Sequence, residues 1–368
     1  MVAFLVFLLW VFLCLFVFEP PQRKSNSVPL PVMTRTTEKK KTILLYDKLQ
    51  GDYKFWRVWY EFRDSLVCTG APWNVTYNCD VYVGSTSTLN TADLVLFSWM
   101  DWDRSQSSPM PVKRDGQIWA LLTQESPMLR ANLNLPIDWV FTYESDADVT
   151  LEYGSVSKTD EPQPVQLPSG REFGAALISK CNAASKRQEL ISELKKHDFT
   201  IHVYGKCGSR QLPGTSTEAY KELSEKYKFF MAFENSICMD YATEKFFSAL
   251  LFPWIPVVLG GANYSSLAPP KSFINVMDFP SVQSLAEYLK YLDRNETAYR
   301  EYFEWKSDHV VRFETDFGCR VCKHLHRTGW SKGKPPLDLK KFSKEKRCFL
   351  PKSPNELFSW NHFAMEPT

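Results

Sequence analysis

From Gly174 to Leu259 the chain alternates short apolar runs with stretches of helical spacing, and few folds accommodate that order. It predicts strands over Gly174–Ser179, Thr200–Tyr204 (ending at Gly205), Phe229–Phe233 and Pro256–Leu259. Between them it predicts helices over Lys186–Lys196, Glu218–Lys226 and Asp240–Phe252. Strands joined by helices make a parallel sheet with crossovers on its faces, and ligands bind such sheets beyond the carboxyl ends of the strands. This half is a nucleotide-binding candidate. A further helix, Val282–Leu292, sets Leu285, Leu289 and Leu292 on one stripe, the spacing of core packing. There is no internal repeat.

Ahead of this region, Ile43–Tyr46, Leu94–Trp99 and Gln117–Leu122 are apolar runs of strand length bounded by polar or turn residues, so a first α/β domain with a buried sheet is expected. Lys158–Arg171 holds three prolines and no periodicity, which marks an inter-domain linker. The 368 residues agree with this: less about forty at the N-terminus, they make two domains of about 150 residues.

Met1–Phe18 is apolar and uncharged, and as a helix it would reach about 27 Å, close to the thickness of a thin bilayer. No basic start precedes it and Phe16–Pro20 offers no small-residue cleavage site, so an uncleaved anchor is expected rather than a signal peptide. Glu19–Lys41, rich in Pro, Ser, Thr and Lys, reads as a stalk. Arg23, Lys24 and Arg35 follow the anchor, and charge alone weakly opposes a cytoplasmic N-terminus. Three N-glycan acceptors, at Asn74, Asn263 and Asn295, favour a lumenal body instead.

Of nine cysteines, Cys14 lies in the anchor, which leaves an even eight at 68, 79, 181, 207, 238, 319, 322 and 348. That count suits an oxidising compartment; buried free thiols are the alternative. Cys319 and Cys322 with His324 and His326 superficially suggest zinc, but Cys68 and Cys79 are too far apart in sequence to complete a four-thiolate site. Disulfides are favoured. A thioredoxin-like pair would stand near the start of a domain, not in a late basic segment. Lys plus Arg number 44 against 42 for Asp plus Glu, so no global field draws nucleic acid. The basic segment Arg320–Lys352 reads as a solvated face.

Chemistry concentrates in Phe233–Phe247. A buried strand delivers Glu234 and Asn235 to its carboxyl end, Asp240 is placed to cap the next helix, and Tyr241, Glu244 and Lys245 fall on one helical face. Glu244 could accept from sugar or ribose hydroxyls, while Lys245 could neutralise a phosphate beside the helix N-terminus. Taken alone, the same pattern equally describes a capped surface helix with a Glu–Lys neighbour pair.

Phe233-Glu234-Asn235-Ser236, Asp240-Tyr241, Thr243-Glu244-Lys245 and Ile255–Gly260 together closely resemble the donor-binding signature of α1,3-fucosyltransferases. The resemblance continues through Asn263-Tyr264, Ala268–Pro270, Asp278-Phe279 and Tyr299–Lys306; it covers Gly174–Cys322 well and reaches more thinly back to Ile43. It implies a GT-B architecture, two Rossmann-like domains facing across a cleft behind an N-terminal transmembrane helix. The implied reaction is transfer of fucose from GDP-fucose with inversion, by a single-pass type II enzyme of the Golgi membrane acting on glycoprotein glycans.

On that resemblance the chain divides into an anchor (1–18), a stalk (19–41), an acceptor-side domain (42–157), a linker (158–171), a GDP-fucose domain (172–318) and a disulfide-tied C-terminal segment (319–368). Inversion by direct displacement needs a carboxylate base and a cation for the departing diphosphate. Gln124-Glu125-Ser126-Pro127 resembles the family's Glu-Ser-Pro block, which makes Glu125 the implied base. Ser179-Lys180-Cys181-Asn182 with Arg187 resembles the Ser-Asn-Cys-Asn stretch and its arginine, with Lys180 in place of Asn. The implied donor set is Arg187, Tyr204, Gly205, Asn235, Tyr241, Glu244 and Lys245. Tyr143, Asp146 and Asp148 fit a Tyr-Arg-Arg-Asp-Ser-Asp block, with Glu144 and Ser145 at the two arginine positions.

Cys68, Cys79, Cys319 and Cys322 resemble cysteines that tie the chain end to the first domain, and Cys181 with Cys207 makes a local pair. The Cys-Arg-Val-Cys ending and Gly-Gly-Ala-Asn-Tyr look closer to invertebrate and plant core-type enzymes, which points to the innermost N-acetylglucosamine of N-glycans. No cofactor is implied and no metal site is expected. Asp101/Asp103 and Asp146/Asp148 are metal-like pairs of the GT-A kind, but both precede the nucleotide half. A metal-dependent GT-A enzyme and a non-catalytic lectin-like membrane protein are the alternatives, and a homodimer is compatible with either domain plan.

Overall fold

The computed structural model describes residues 36–37, 39–46, 65–70, 75–84, 87–99, 111–129, 135–161, 165–214, 216–313, 316–328, 335–343 and 347–359. The anchor at 1–18, Asn74 and the Asp101/Asp103 pair lie outside them. Among the described residues no helix is long and apolar enough to cross a membrane.

The first half builds one sheet from β1 (Thr36–Thr37), β2 (Lys41–Tyr46), β3 (Ser65–Gly70), β4 (Val75–Val83), β5 (Leu94–Ser98), β6 (Ile118–Leu122), β7 (Trp139–Thr142) and β8 (Val149–Thr150). The spatial order is β1-β4-β2-β5-β6-β7-β8, all parallel, with β3 antiparallel on β4. Thr36, Thr37 and Lys41 therefore belong to the sheet, not to the stalk read over 19–41; β-branched threonines suit a paired edge. β5 and β6 are buried along their whole length because both faces are covered. Ile43, Leu45, Leu94, Leu96, Ile118 and Ala120 share one core with residues of the Phe317–Thr328 helix, whereas Leu44, Val95, Phe97, Trp119 and Leu121 share another with Phe342. Period-2 alternation thus divides a continuous apolar run between two cores.

β9 (Ser155–Lys158) leads out of this domain and pairs antiparallel with β16 (His309–Arg312). The second sheet comprises β10 (Glu172–Leu177), β11 (Ile201–Tyr204), β12 (Tyr227–Phe233), β14 (Ile255–Leu259) and β15 (Ile274–Asn275), parallel throughout in the order β11-β10-β12-β14-β15. The chain runs from β10 outward to β11 and then returns to β12 on the other side of β10. That reversal opens a crevice at the carboxyl ends of β10 and β12. Helices Arg187–Lys195 and Val282–Arg294 pack under one face with Phe229, Met231 and Phe233; Ser216–Lys226 and Glu244–Leu250 cover the other with Phe230 and Ala232.

One predicted helix is shorter than expected. Asp240–Phe252 contracts to Glu244–Leu250, because Asp240 is left-handed (φ 58°) and Thr243 is the N-cap, accepting from the Lys245 amide at 3.4 Å. Tyr241 consequently lies in the loop before the helix rather than on its face. A short strand, β13 (Ile237–Cys238), fills the interval and pairs antiparallel with β17 (Cys348–Phe349).

All eight body cysteines form disulfides: Cys68–Cys319, Cys79–Cys322, Cys181–Cys207 and Cys238–Cys348. The zinc-like cluster of Cys79, Cys322 and His326 has its thiols spent on a bridge, and His326 Nε2 bonds Asn78 O at 3.1 Å. Cys79–Cys322 spans 243 residues, but Cys68–Cys319 already closes almost the same loop. Cys79→Ser with Cys322→Ser should therefore cost about 3 kcal/mol, the entropy of the small residual ring rather than of the long loop. Denaturant unfolding of the variant checks this, and a loss near 5 kcal/mol would show the two bridges act independently.

Candidate functional site

Of the predicted donor set, Asn235, Glu244 and Lys245 stand with Glu234 at the crevice, whereas Arg187 and Tyr204 are buried beneath it. Glu234, at the end of β12, is fully buried and its Oε1 accepts from the Thr243 amide and hydroxyl, both at 2.8 Å. Lys245 Nζ is shared among Thr243 Oγ1 (2.9 Å), Glu244 Oε1 (3.2 Å) and Glu234 Oε2 (3.3 Å). Burial pushes the Glu234 carboxyl up, and Lys245 pulls it partly back. Burial works against the Lys245 charge as well, yet Glu234 and Glu244 hold its pKa above the usual value. Glu244 stays below the ordinary carboxylate range despite burial, because Lys245 both faces and bonds it. The result is one ammonium held between a buried acid and a half-exposed one.

Asn235 follows on the same strand end. Its backbone carbonyl accepts from Ser185 N at 3.2 Å, while its buried Oδ1 has no partner among the described residues. An orphaned buried acceptor at a strand end asks for a donor from outside the chain. Arg187 lies lower than the sequence suggested. It is 2 % exposed, with Nη1 on Phe233 O and Nη2 on Lys180 O, both at 2.9 Å, so it braces the ends of β12 and β10. Its charge still acts on Glu234 and Glu244. Tyr204 is also internal, its hydroxyl sharing a 2.9 Å hydrogen bond with that of Tyr227. Gly205 has φ +91°, and a Cβ there would meet Ile178 O at 2.8 Å, so only glycine closes this turn. The Cys181–Cys207 bridge ties the loops that follow β10 and β11.

Glu125 arrives from the first domain, beyond the end of β6, and faces the second. Burial pushes its carboxyl up and Glu244 adds to this; Lys245, Lys180 and a hydrogen bond from the Tyr241 hydroxyl draw it down. The next residue fixes the approach of the two domains, since Ser126 Oγ donates to Ser236 Oγ at 2.9 Å. A tyrosine layer lies behind, with Tyr143 5.1 Å from Tyr241 and Tyr153 6.5 Å from Tyr241, ring centre to ring centre. Tyr153 donates to Gln124 O. Beyond this layer a cavity of about 240 Å³ is lined by Tyr143, Tyr153, Asp240, Phe247 and Asn263.

Several expectations change here. Asp240 caps no helix; its carboxylate instead accepts from the Ser145 amide (2.9 Å) and hydroxyl (2.7 Å) across the domain boundary. The Asp146/Asp148 pair is committed to the protein, Asp146 to Arg347 at 2.7 and 3.0 Å and Asp148 to Val140 N at 2.8 Å. Arg347 itself is buried, so the segment 320–352 is not simply a solvated face. Asn263 is exposed with its side chain free of any capping bond, whereas Asn295 Oδ1 caps a helix at Ala298 N and Nδ2 donates to Tyr291. Sequence reasoning missed Tyr153 and Arg347, and it quoted Ser236 within the Phe233–Ser236 block without assigning it the contact with Ser126.

Two family models match the chain. "Fucosyltransferase, N-terminal" covers residues 38–154, and "Glycosyltransferase family 10 (fucosyltransferase) C-term" covers residues 167–338. The chain is 37% identical over 241 residues to human alpha-(1,3)-fucosyltransferase 4, covering 61% of this chain and 44% of that protein. Two Drosophila melanogaster proteins are each 30% identical. Glycoprotein 3-alpha-L-fucosyltransferase A is matched over 79% of this chain and 58% of its own length, and alpha-(1,3)-fucosyltransferase C over 79% and 75%. The chain thus spans about half the length of several relatives it matches. A crystal structure of an alpha1,3-fucosyltransferase with GDP-fucose superposes with TM-score 0.53 at 17% identity, over 82% of this chain and 93% of that one, a likeness of fold.

Proposed function

We propose, starting from the fact that the chain belongs to glycosyltransferase family 10, the fucosyltransferases, that it moves L-fucose from GDP-fucose to the 3-hydroxyl of N-acetylglucosamine in glycoprotein glycans. The arrangement is read as GT-B, with the acceptor on the first domain and the donor on the second. What carries the reading is the position of Glu125, an acid of the first domain bonded by Tyr241 and acted on by Lys245 of the second.

The acceptor hydroxyl loses its proton to the Glu125 carboxylate as its oxygen attacks C1 of fucose from the face opposite the diphosphate, and the C1–O bond to GDP breaks, inverting the centre. Negative charge then grows on the departing diphosphate, where Lys245 is placed to meet it, with the Arg187 charge beneath. All three contacts of the ammonium are taken in the free protein. Glu244, its half-exposed partner, is the one able to swing away to the ribose hydroxyls, which frees an N–H for phosphate. Asn235 Oδ1 then gains a donor from the nucleotide.

A divalent metal is read as dispensable, because Lys245 and Arg187 supply the charge and the Asp146/Asp148 pair is occupied by protein groups. We place the enzyme in the Golgi membrane as a single-pass type II protein. The four disulfides and the exposed Asn263 acceptor suit a lumenal body, and Met1–Phe18 suits the anchor. The Gly260-Gly261-Ala262-Asn263-Tyr264 stretch favours the N-glycan core as acceptor.

The test is transfer of labelled fucose from GDP-fucose to an N-glycan core and, separately, to an antennal N-acetyllactosamine, with and without chelator. The expected result is core labelling, inverted at the anomeric carbon and unchanged by chelation. Loss of transfer on chelation would favour the metal-dependent reading; glycan binding without transfer to any acceptor would favour a lectin.

A further inference from the structure

The chain end crosses both domains. Leu337 N donates to Ile137 O at 2.7 Å, and Phe342 is completely buried in the first-domain core. Leu357 and Phe358 are buried in the core of the second. Between these anchor points β17 pairs with β13, and Cys348 is bridged to Cys238.

Arg347 stands at that crossing and is 6 % exposed. Its Nη1 and Nη2 donate to the two carboxylate oxygens of Asp146 at 3.0 and 2.7 Å, and Nε donates to Lys341 O at 2.7 Å. The guanidinium lies 4.8 Å from the centre of the Phe342 ring. Its own carbonyl accepts from Met239 N at 2.8 Å, and Nη1 lies 3.4 Å from the Met239 sulfur. Glu144, which is fully buried, and Asp240 also act on its charge.

The first-domain turn Tyr143–Asp148 carries three acids and no base, and it faces Asp240 of the second domain. Of these acids only Glu144 is buried, and its charge is the costly one; a rigid two-pronged guanidinium beside it, itself buried and paired with the more exposed Asp146, offsets that charge and fixes the turn. We infer that Arg347 is a positioning residue for the donor site: from the far end of the chain it neutralises the 144–146 turn and fixes residues 239–240, the step that presents Tyr241. Tyr241 packs its ring against that of Tyr143, tilted by 49° with the centres 5.1 Å apart, and bonds Glu125, so a shift of this step moves the donor rim relative to the base. The inference rests on the donor reading above.

Arg347→Gln, made in the full chain, tests it by initial rates against each substrate and by calorimetry with GDP. The KM for GDP-fucose and the Kd for GDP should rise about tenfold, the low end of the cost of losing a charge-assisted hydrogen bond, while the acceptor KM stays within about twofold. Arg347→Lys, which keeps the charge but loses the fork, should fall between. Asp146→Asn should reproduce the donor effect from the other partner, and it replaces Arg347→Gln if that variant does not fold. A merely structural role would lower Tm and leave the GDP Kd of the folded fraction unmoved. GDP affinity within about twofold of the parent protein's would overturn the inference. Absence of transfer by the parent protein would instead overturn the fucosyl reading, and the GDP titration would still report on Arg347.

Discussion

Glu125→Gln should lower kcat for fucosyl transfer about 10³-fold and leave the KM for GDP-fucose within about threefold, because the substitution keeps the shape and the hydrogen bond with Tyr241 while removing the proton acceptor. Glu125 is held by the end of β6, a strand buried on both faces, so little rearrangement is open to the variant. The pH profile supplies the sign. Burial, reinforced by Glu244, raises the carboxyl above its usual 4.5, and a base acts ionised, so kcat/KM should climb with pH and level off only above the ordinary carboxylate range. Lys180 draws that pKa down, so Lys180→Met should move the acid limb to higher pH. Stability runs the other way. An acid whose pKa is raised by folding costs nothing below its unfolded pKa and an increasing amount as pH rises through the folded one, so the Gln variant should melt no lower than the parent at pH 7. An inactive protein that also melts early would point to a structural role for Glu125, and one that retains full turnover would remove it as the base.

What the sequence disclosed follows the range of the forces involved. Phe229–Phe233 and Pro256–Leu259 could be read as strands because a parallel sheet covered on both faces demands continuous apolar runs, and the strands start only two and one residues earlier, at Tyr227 and Ile255. The 239–243 step could not be read that way. Local pattern extends a helix back to Asp240, but the left-handed Asp240 is stabilised by Ser145 from the other domain and by the bridge from Cys238 to Cys348, 110 residues away. Thr243 before Glu244-Lys245 was the local signal for the true helix start. Glu125 has no local signature at all; without the family block it is one acid before a proline. Arg347 pairs with Asp146 over 201 residues, and nothing in its basic neighbourhood distinguishes it from a solvated charge.

Lys245→Met should separate two duties that one ammonium performs. Glu234 is completely buried and, apart from the two groups of Thr243, relies on Lys245. Removing one partner of a buried pair leaves an uncompensated charge, at a cost of about 3–5 kcal/mol, unless the acid takes a proton. Since burial already raises the Glu234 pKa, the cost should be smaller at pH 5 and larger at pH 8: a raised acid is harmless while protonated and destabilising once ionised. Turnover should fall about 10²–10³-fold for a different reason, the loss of the charge that meets the departing diphosphate. Adding Glu234→Gln distinguishes the two. The amide keeps an acceptor for Thr243 and removes the buried charge, so the double variant should regain most of the lost stability, and its remaining pH dependence should no longer include Glu234. Its turnover should stay low, because no cation has returned to the rim. Recovery of activity together with stability in the double variant would mean that Lys245 serves only as the counter-ion of Glu234, and that the leaving group is stabilised elsewhere.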